Sequence, residues 1–120
     1  MNVTTRVLLL DDNDGTRLTL TALLEAEGFE VAEASCLADA RQSLAAAPVF
    51  DLALLDRHLG DGQGAELIPV VRAQLPHCRI IMISGSDNDH GGIVDNADAC
   101  FRKGEDIDEL FDKIQALLAS

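Results

Sequence analysis

Apolar and polar residues fall along this chain in blocks rather than singly. Arg6 to Leu10 is a short apolar run that stops at Asp11 and Asp12, and a run so brief and so sharply ended predicts a buried parallel strand. The pattern then shifts to helical spacing from Thr16 to Glu27, with Leu20, Leu23 and Leu24 on one face, Asp14 as the expected N-cap and Gly28 as the stop.

The alternation repeats along the chain. Phe29 to Ala34 reads as strand, and Ser35 is placed to cap a helix through Ala46. Phe50 to Leu55 returns to strand after Pro48. A glycine-rich loop follows, and Glu66 to Leu75 carries Leu67, Val70 and Val71 at helical spacing, with Pro69 costing a backbone hydrogen bond if it lies beyond the first turn. "RIIMIS", Arg79 to Ser84, is the most strand-like segment. The polar stretch "GSDNDHGGIVDNAD" supports only a short or irregular fourth helix. Ala99 to Arg102 predicts a fifth strand, and Asp106 with Glu109 forms a capping-box-like start to a last helix striped by Ile107, Leu110, Phe111, Ile114, Leu117 and Leu118.

Five strands alternating with helices imply an α/β fold with one parallel sheet covered on both faces, because parallel strands need crossover connections. At 120 residues, one domain spanning 1–120 is expected. Ligands of such open sheets bind beyond the carboxyl ends of the strands. The residues at those ends are Asp11 and Asp12, Asp56, Ser84 and Lys103.

Charge sharpens the picture. Acidic residues outnumber basic ones 21 to 9, for a formal charge of −12, which disfavours direct binding to nucleic acid or to anionic membranes. No stretch approaches the roughly 18 apolar residues of a membrane span. Cys36, Cys78 and Cys100 are odd in number and lie in apolar or small-residue surroundings. They read as reduced, buried thiols and suggest a cytoplasmic address. No two of the three histidines have metal-ligand spacing.

Three carboxylates gathered at the strand ends repel one another, and a hard divalent cation compensates them better than Lys103 alone. Asp12 and Asp56 are the expected direct ligands, a carbonyl near His58 a third, and Asp11 a ligand through water. Such a site suits phosphoryl transfer, where a cation draws in phosphate oxygens and neutralises their charge.

In these features the chain resembles the receiver domain of bacterial two-component response regulators over essentially its whole length. The resemblance rests on the acidic pair of "VLLLDDN", Asp56 of "DLALLDRHLGDGQG" with Gly64 eight positions later, the hydroxyl of "IIMISG", and Phe101 with Lys103 in "CFRKG". It implies a flavodoxin-like sheet of strand order 2-1-3-4-5. Asp56 would accept a phosphoryl group from a histidine kinase, a phosphotransfer protein or a small phosphodonor with Mg2+ or Mn2+, and Ser84 and Lys103 would each hold a phosphoryl oxygen. Movement of Ser84 would be coupled to rotation of Phe101, remodelling the surface of the fourth helix, fifth strand and last helix for an output domain or target protein. A homodimer is left open, as is the choice between a single-domain regulator and one part of a larger protein.

The chain also departs from the family pattern. Gly104 and Gly60 stand where prolines are usual, so both loops are expected to be loose. Gly85 follows Ser84, and the stretch on to Lys103 is a couple of residues short. His58 and Ser86 occupy the two variable positions that tune loss of the phosphoryl group. Two competing functions are a pseudo-receiver acting as a constitutive interaction module and a magnesium-dependent hydrolase, the latter lacking a second acid beside Asp56 to activate water.

Overall fold

The computed structural model describes residues 4–46, 49–85 and 97–119. Strand β1 (Arg6–Leu10), helix α1 (Asp14–Ala26), β2 (Glu30–Ala34), α2 (Leu37–Ala46) and β3 (Leu52–Asp56) come first. A two-stranded hairpin, β4 (His58–Leu59) and β5 (Gly62–Gln63), leads through a 3-10 turn at Gly64–Leu67 into α3 (Ile68–Gln74). Strands β6 (Arg79–Ser84) and β7 (Ala99–Arg102) and helix α4 (Ile107–Ala119) complete the order. The expected fourth helix, with Ser86 and His90, lies outside the described residues.

The main sheet runs β2-β1-β3-β6-β7, all parallel. This is the expected order, with the added hairpin shifting the count of the last two strands. Strands β1, β3 and β6 are apolar without a break over residues 7–10, 52–55 and 80–83 because helices cover both faces. One core layer packs Leu8, Leu10, Leu55 and Met82 against α2 and α3; the other packs Leu9, Leu54, Ile81 and Ile83 against α1 and α4. Each fully buried leucine or isoleucine contributes about 1.5–3 kcal/mol. Edge strand β2 is only partly covered, and its exposed Glu30 and Glu33 discourage pairing with another edge.

Local details correct several expectations. Asn13, not Asp14, caps α1, its side chain accepting from the Thr16 N–H at 2.8 Å. Asp14 instead enters the first turn and pairs with Arg17 at 2.6 Å. Gly28 does end that helix, at φ +92°, with its N–H on the Glu25 carbonyl and the Phe29 N–H on that of Leu24, the double bond of a Schellman turn. Pro69 falls within the first turn of α3, where no helical partner is lost, because the preceding 3-10 turn absorbs Gly64 to Leu67. Ser35 does not cap α2; its hydroxyl bonds to Asp39. None of the three cysteines forms a disulfide, yet only Cys78 is buried while Cys36 and Cys100 are half-buried.

Candidate functional site

The register of the three central strands sets the site. Leu10 pairs with Leu55, and Asp56 with Ile83, so the chain leaves β1 and β3 at the same level of the sheet. Asp11 and Asp56 are thereby carried just past the core, where both are buried, at 0% and 4% exposure. Asp12 beside them is exposed, and one carboxylate oxygen from each of the three lies within 4.8 Å of the others.

Lys103 reaches into this cluster from the end of β7. Its Nζ stands 3.1 Å from Asp11 Oδ2 and 3.3 Å from Asp56 Oδ2. Burial works against the ammonium charge, but the hydrogen bond to Asp11 and the fields of Asp56 and Asp11 outweigh it, and the Lys103 pKa is raised. Asp56 is perturbed more. Burial first, then the neighbouring Asp11 charge, push its carboxyl up to about 6 against the opposing pull of Lys103.

The loop that aims Lys103 is tied rather than loose. Lys103 N–H continues the ladder onto the Ser84 carbonyl at 2.7 Å. Glu105 N–H closes a turn on the Arg102 carbonyl at 3.0 Å, and Arg102 N–H is taken by the Glu105 side chain at 2.9 Å. Gly104 at φ +97° supplies the third residue of that turn, a conformation that favours glycine. Gly85 has a role as well: a Cβ there would stand 3.3 Å from Lys103 Cδ, against the stem of the lysine.

The loop after Asp56 is likewise braced. His58 pairs with Gln63 and Leu59 with Gly62 across the hairpin. The Gln63 N–H donates to Glu66 Oε2 at 2.9 Å. Gly64 lies so close beneath Asp56 that a Cβ would fall 2.1 Å from the Asp56 carbonyl oxygen. This explains in physical terms why the eighth residue after Asp56 has no side chain.

Two supporting residues were missed in the sequence. Arg17 donates to the Asp11 carbonyl at 2.9 Å while also bonding Asp14 and Glu33, which fixes the backbone that presents the acidic pair. Asp61, read as loop, accepts from the Leu37 N–H at 3.0 Å and the Ala38 N–H at 3.3 Å, which lowers its own pKa. A cysteine at the start of α2, where an oxygen acceptor is usual, is the one hint that the cap comes from elsewhere.

Ser84 ends β6 half-buried, and His58 lies exposed on the hairpin. The expected link between Ser84 and Phe101 meets a geometric obstacle. Phe101 pairs with Ile83, not Ser84, and is buried in the layer under α1 and α4. Successive strand residues face opposite sides, so Ser84 faces the layer that holds Met82 and Cys100. Phe101 is here a core aromatic, with the Lys113 ammonium 5.8 Å from its ring centre.

The model of the response regulator receiver domain matches residues 7–115. The chain is a receiver domain of the response regulator family. Among curated relatives it is 37% identical over 79 residues to the alginate biosynthesis transcriptional regulatory protein AlgB of Pseudomonas putida, covering 66% of this chain and 17% of AlgB. It is 30% identical over 116 residues to the cell cycle transcriptional regulator CtrA of Caulobacter vibrioides, covering 94% of this receiver and 50% of CtrA. The chain therefore spans from a sixth to half the length of these two relatives. Among solved structures, a CheY-like receiver of Methanospirillum hungatei superposes with a TM-score of 0.80 at 29% identity, over 98% of this receiver and 95% of its own chain. The response regulator TrrA of Thermotoga maritima, solved in complex with Mg2+ and BeF, superposes with a TM-score of 0.83 at 25% identity, over 95% and 99% of the two chains. No described helix is long and apolar enough to cross a membrane.

Proposed function

We propose that this receiver is switched by phosphorylation of Asp56. The observation that carries the reading is the buried Asp56 carboxylate held 3.3 Å from Lys103 Nζ with Asp11 and Asp12 alongside. A merely structural strand end needs no such cluster. The residues also fit a divalent cation. Asp11 Oδ2 is buried, has Lys103 at 3.1 Å and no aligned hydrogen-bond donor, and three carboxylates face one ammonium. Asp12, Asp56 and the His58 carbonyl would hold Mg2+ or Mn2+, with Asp11 acting through water. Bound there, the cation neutralises the phosphoryl oxygens during transfer.

The chain's own groups do the rest. An Asp56 oxygen attacks phosphorus, the bond from phosphorus to the donor's imidazole nitrogen or acyl oxygen breaks, and its electron pair leaves with the donor. Lys103 and the Ser84 hydroxyl each take a phosphoryl oxygen, so the lysine already aligned on Asp56 needs little rearrangement. His58 and Ser86 are the residues that would tune loss of the phosphoryl group.

The partner is a histidine kinase or phosphotransfer protein in the cytoplasm, and the output is a target protein or a further domain, with no contact of this segment with nucleic acid or membrane. The AlgB and CtrA relatives, both transcriptional regulators, support an output in transcription. Exposure to acetyl phosphate with Mg2+, followed by intact-mass measurement, tests the reading against a pseudo-receiver: one phosphoryl mass is gained, and none in Asp56→Asn.

A further inference from the structure

Cys36 stands at the N-cap of α2, since its carbonyl accepts the helix's first bond, from the Ala40 N–H at 3.1 Å. A thiol is a weak acceptor, and the next two N–H groups, of Leu37 and Ala38, go instead to the two oxygens of Asp61, 24 and 23 residues further on. A local cap would serve the helix equally well. A cap supplied from the hairpin does more, because it fixes the hairpin tip to α2.

Packing at the same place agrees. Gly62, at φ +148°, sits so tightly that a Cβ would lie 2.6 Å from Leu37 Cδ1 and 2.5 Å from Glu66 Oε2. The hairpin is thus clamped at both ends, at Gly64 beneath the Asp56 carbonyl and at Asp61 on α2. His58 pairs with Gln63, which lies between the clamps.

We propose that Asp61 is a positioning residue for the phosphoacceptor site, its carboxylate fixing the hairpin, and with it the His58 carbonyl offered to the metal, to the N-terminus of α2. The inference rests on the phosphoacceptor reading and extends it to a residue that touches neither metal nor phosphoryl group. Supporting groups of this kind typically change metal affinity by about 10–100-fold when removed.

The test pairs Asp61→Ala with the double variant Asp61→Ala, Cys36→Ser, comparing thermal melts by circular dichroism with calorimetric titration by MgCl2. The single variant is expected to melt lower and to bind Mg2+ about tenfold more weakly. Serine at the N-cap restores the helix locally, so the double variant regains the melting temperature and remains about tenfold weak for Mg2+. Recovery of both quantities in the double variant makes Asp61 a helix cap only and overturns the proposal, as does a single variant with the parent's Mg2+ affinity. If alanine prevents folding, Asp61→Asn, which keeps one acceptor, carries the same pair of comparisons. An unsubstituted protein that takes up no Mg2+ overturns the metal reading itself and this inference with it.

Discussion

Asp56→Asn should stabilise the metal-free protein at neutral pH, because the carboxylate is held in its charged form at a cost. Its pKa rises from 3.8 to about 6, a shift of roughly 2 units, each equivalent to about 1.4 kcal/mol. The sign follows from linkage. Well below pH 4 the group is protonated both folded and unfolded, and nothing is lost. As pH rises through 4 to 6 the unfolded chain ionises first, so stability falls; above about 6 the full penalty of at most ~3 kcal/mol is present. The neutral, isosteric amide escapes it, so the gain should grow from near zero at pH 4 to about 1–3 kcal/mol at pH 7.5, the lower end allowing for an imperfectly bonded buried amide. Urea denaturation in EDTA, followed by circular dichroism across that range, measures it directly. Saturating Mg2+ should close the gap, since ligand at 100 times its dissociation constant adds about 2.7 kcal/mol to the protein that binds it. A variant no more stable than the parent at pH 7.5 in EDTA, or a difference that does not vary with pH, would refute the reasoning.

Other substitutions bear on separate parts of the site. Gly64→Ala forces a Cβ to within 2.1 Å of the Asp56 carbonyl; it should cost about 1–3 kcal/mol in urea denaturation and weaken Mg2+ binding in the same sample. Lys103→Met removes the ammonium facing Asp11 and Asp56, so its destabilisation should be larger at pH 7.5 than at pH 5, where Asp56 is mostly protonated, and urea titrations at the two values decide it. Burial pushes the Cys78 thiol up to about 12. Native alkylation by iodoacetamide at pH 8, mapped by peptide mass, should therefore reach Cys36 and Cys100 well before Cys78.

The elements and the acidic cluster were legible because each depends on short stretches of chain. Apolar runs that stop at Asp11, Asp56 and Ser84 announce strand ends, and parallel order brings those ends together whatever the details. Facing was harder to read. Whether Phe101 or Cys100 shares a face with Ser84 depends on how β7 aligns with β6, and that register comes from long-range packing, not from "CFRKG" itself. The same holds for Asp61, whose partners Leu37 and Ala38 lie on α2, and for the bond from Arg17 to Glu33 on β2. Glycines at positions 60 and 104 suggested loose loops, yet the side chains of Glu66, Asp61 and Glu105 tie those turns. Flexibility read from glycine alone overlooks hydrogen bonds supplied by neighbours.

The central claim is that Asp56 accepts a phosphoryl group, and the intact mass of the protein after incubation with acetyl phosphate and Mg2+ tests it most directly. The account predicts a gain of one phosphoryl mass that needs Mg2+ and is lost in Asp56→Asn and strongly reduced in Lys103→Met. An unchanged mass with Mg2+ present, or a gain that persists in Asp56→Asn, would contradict it.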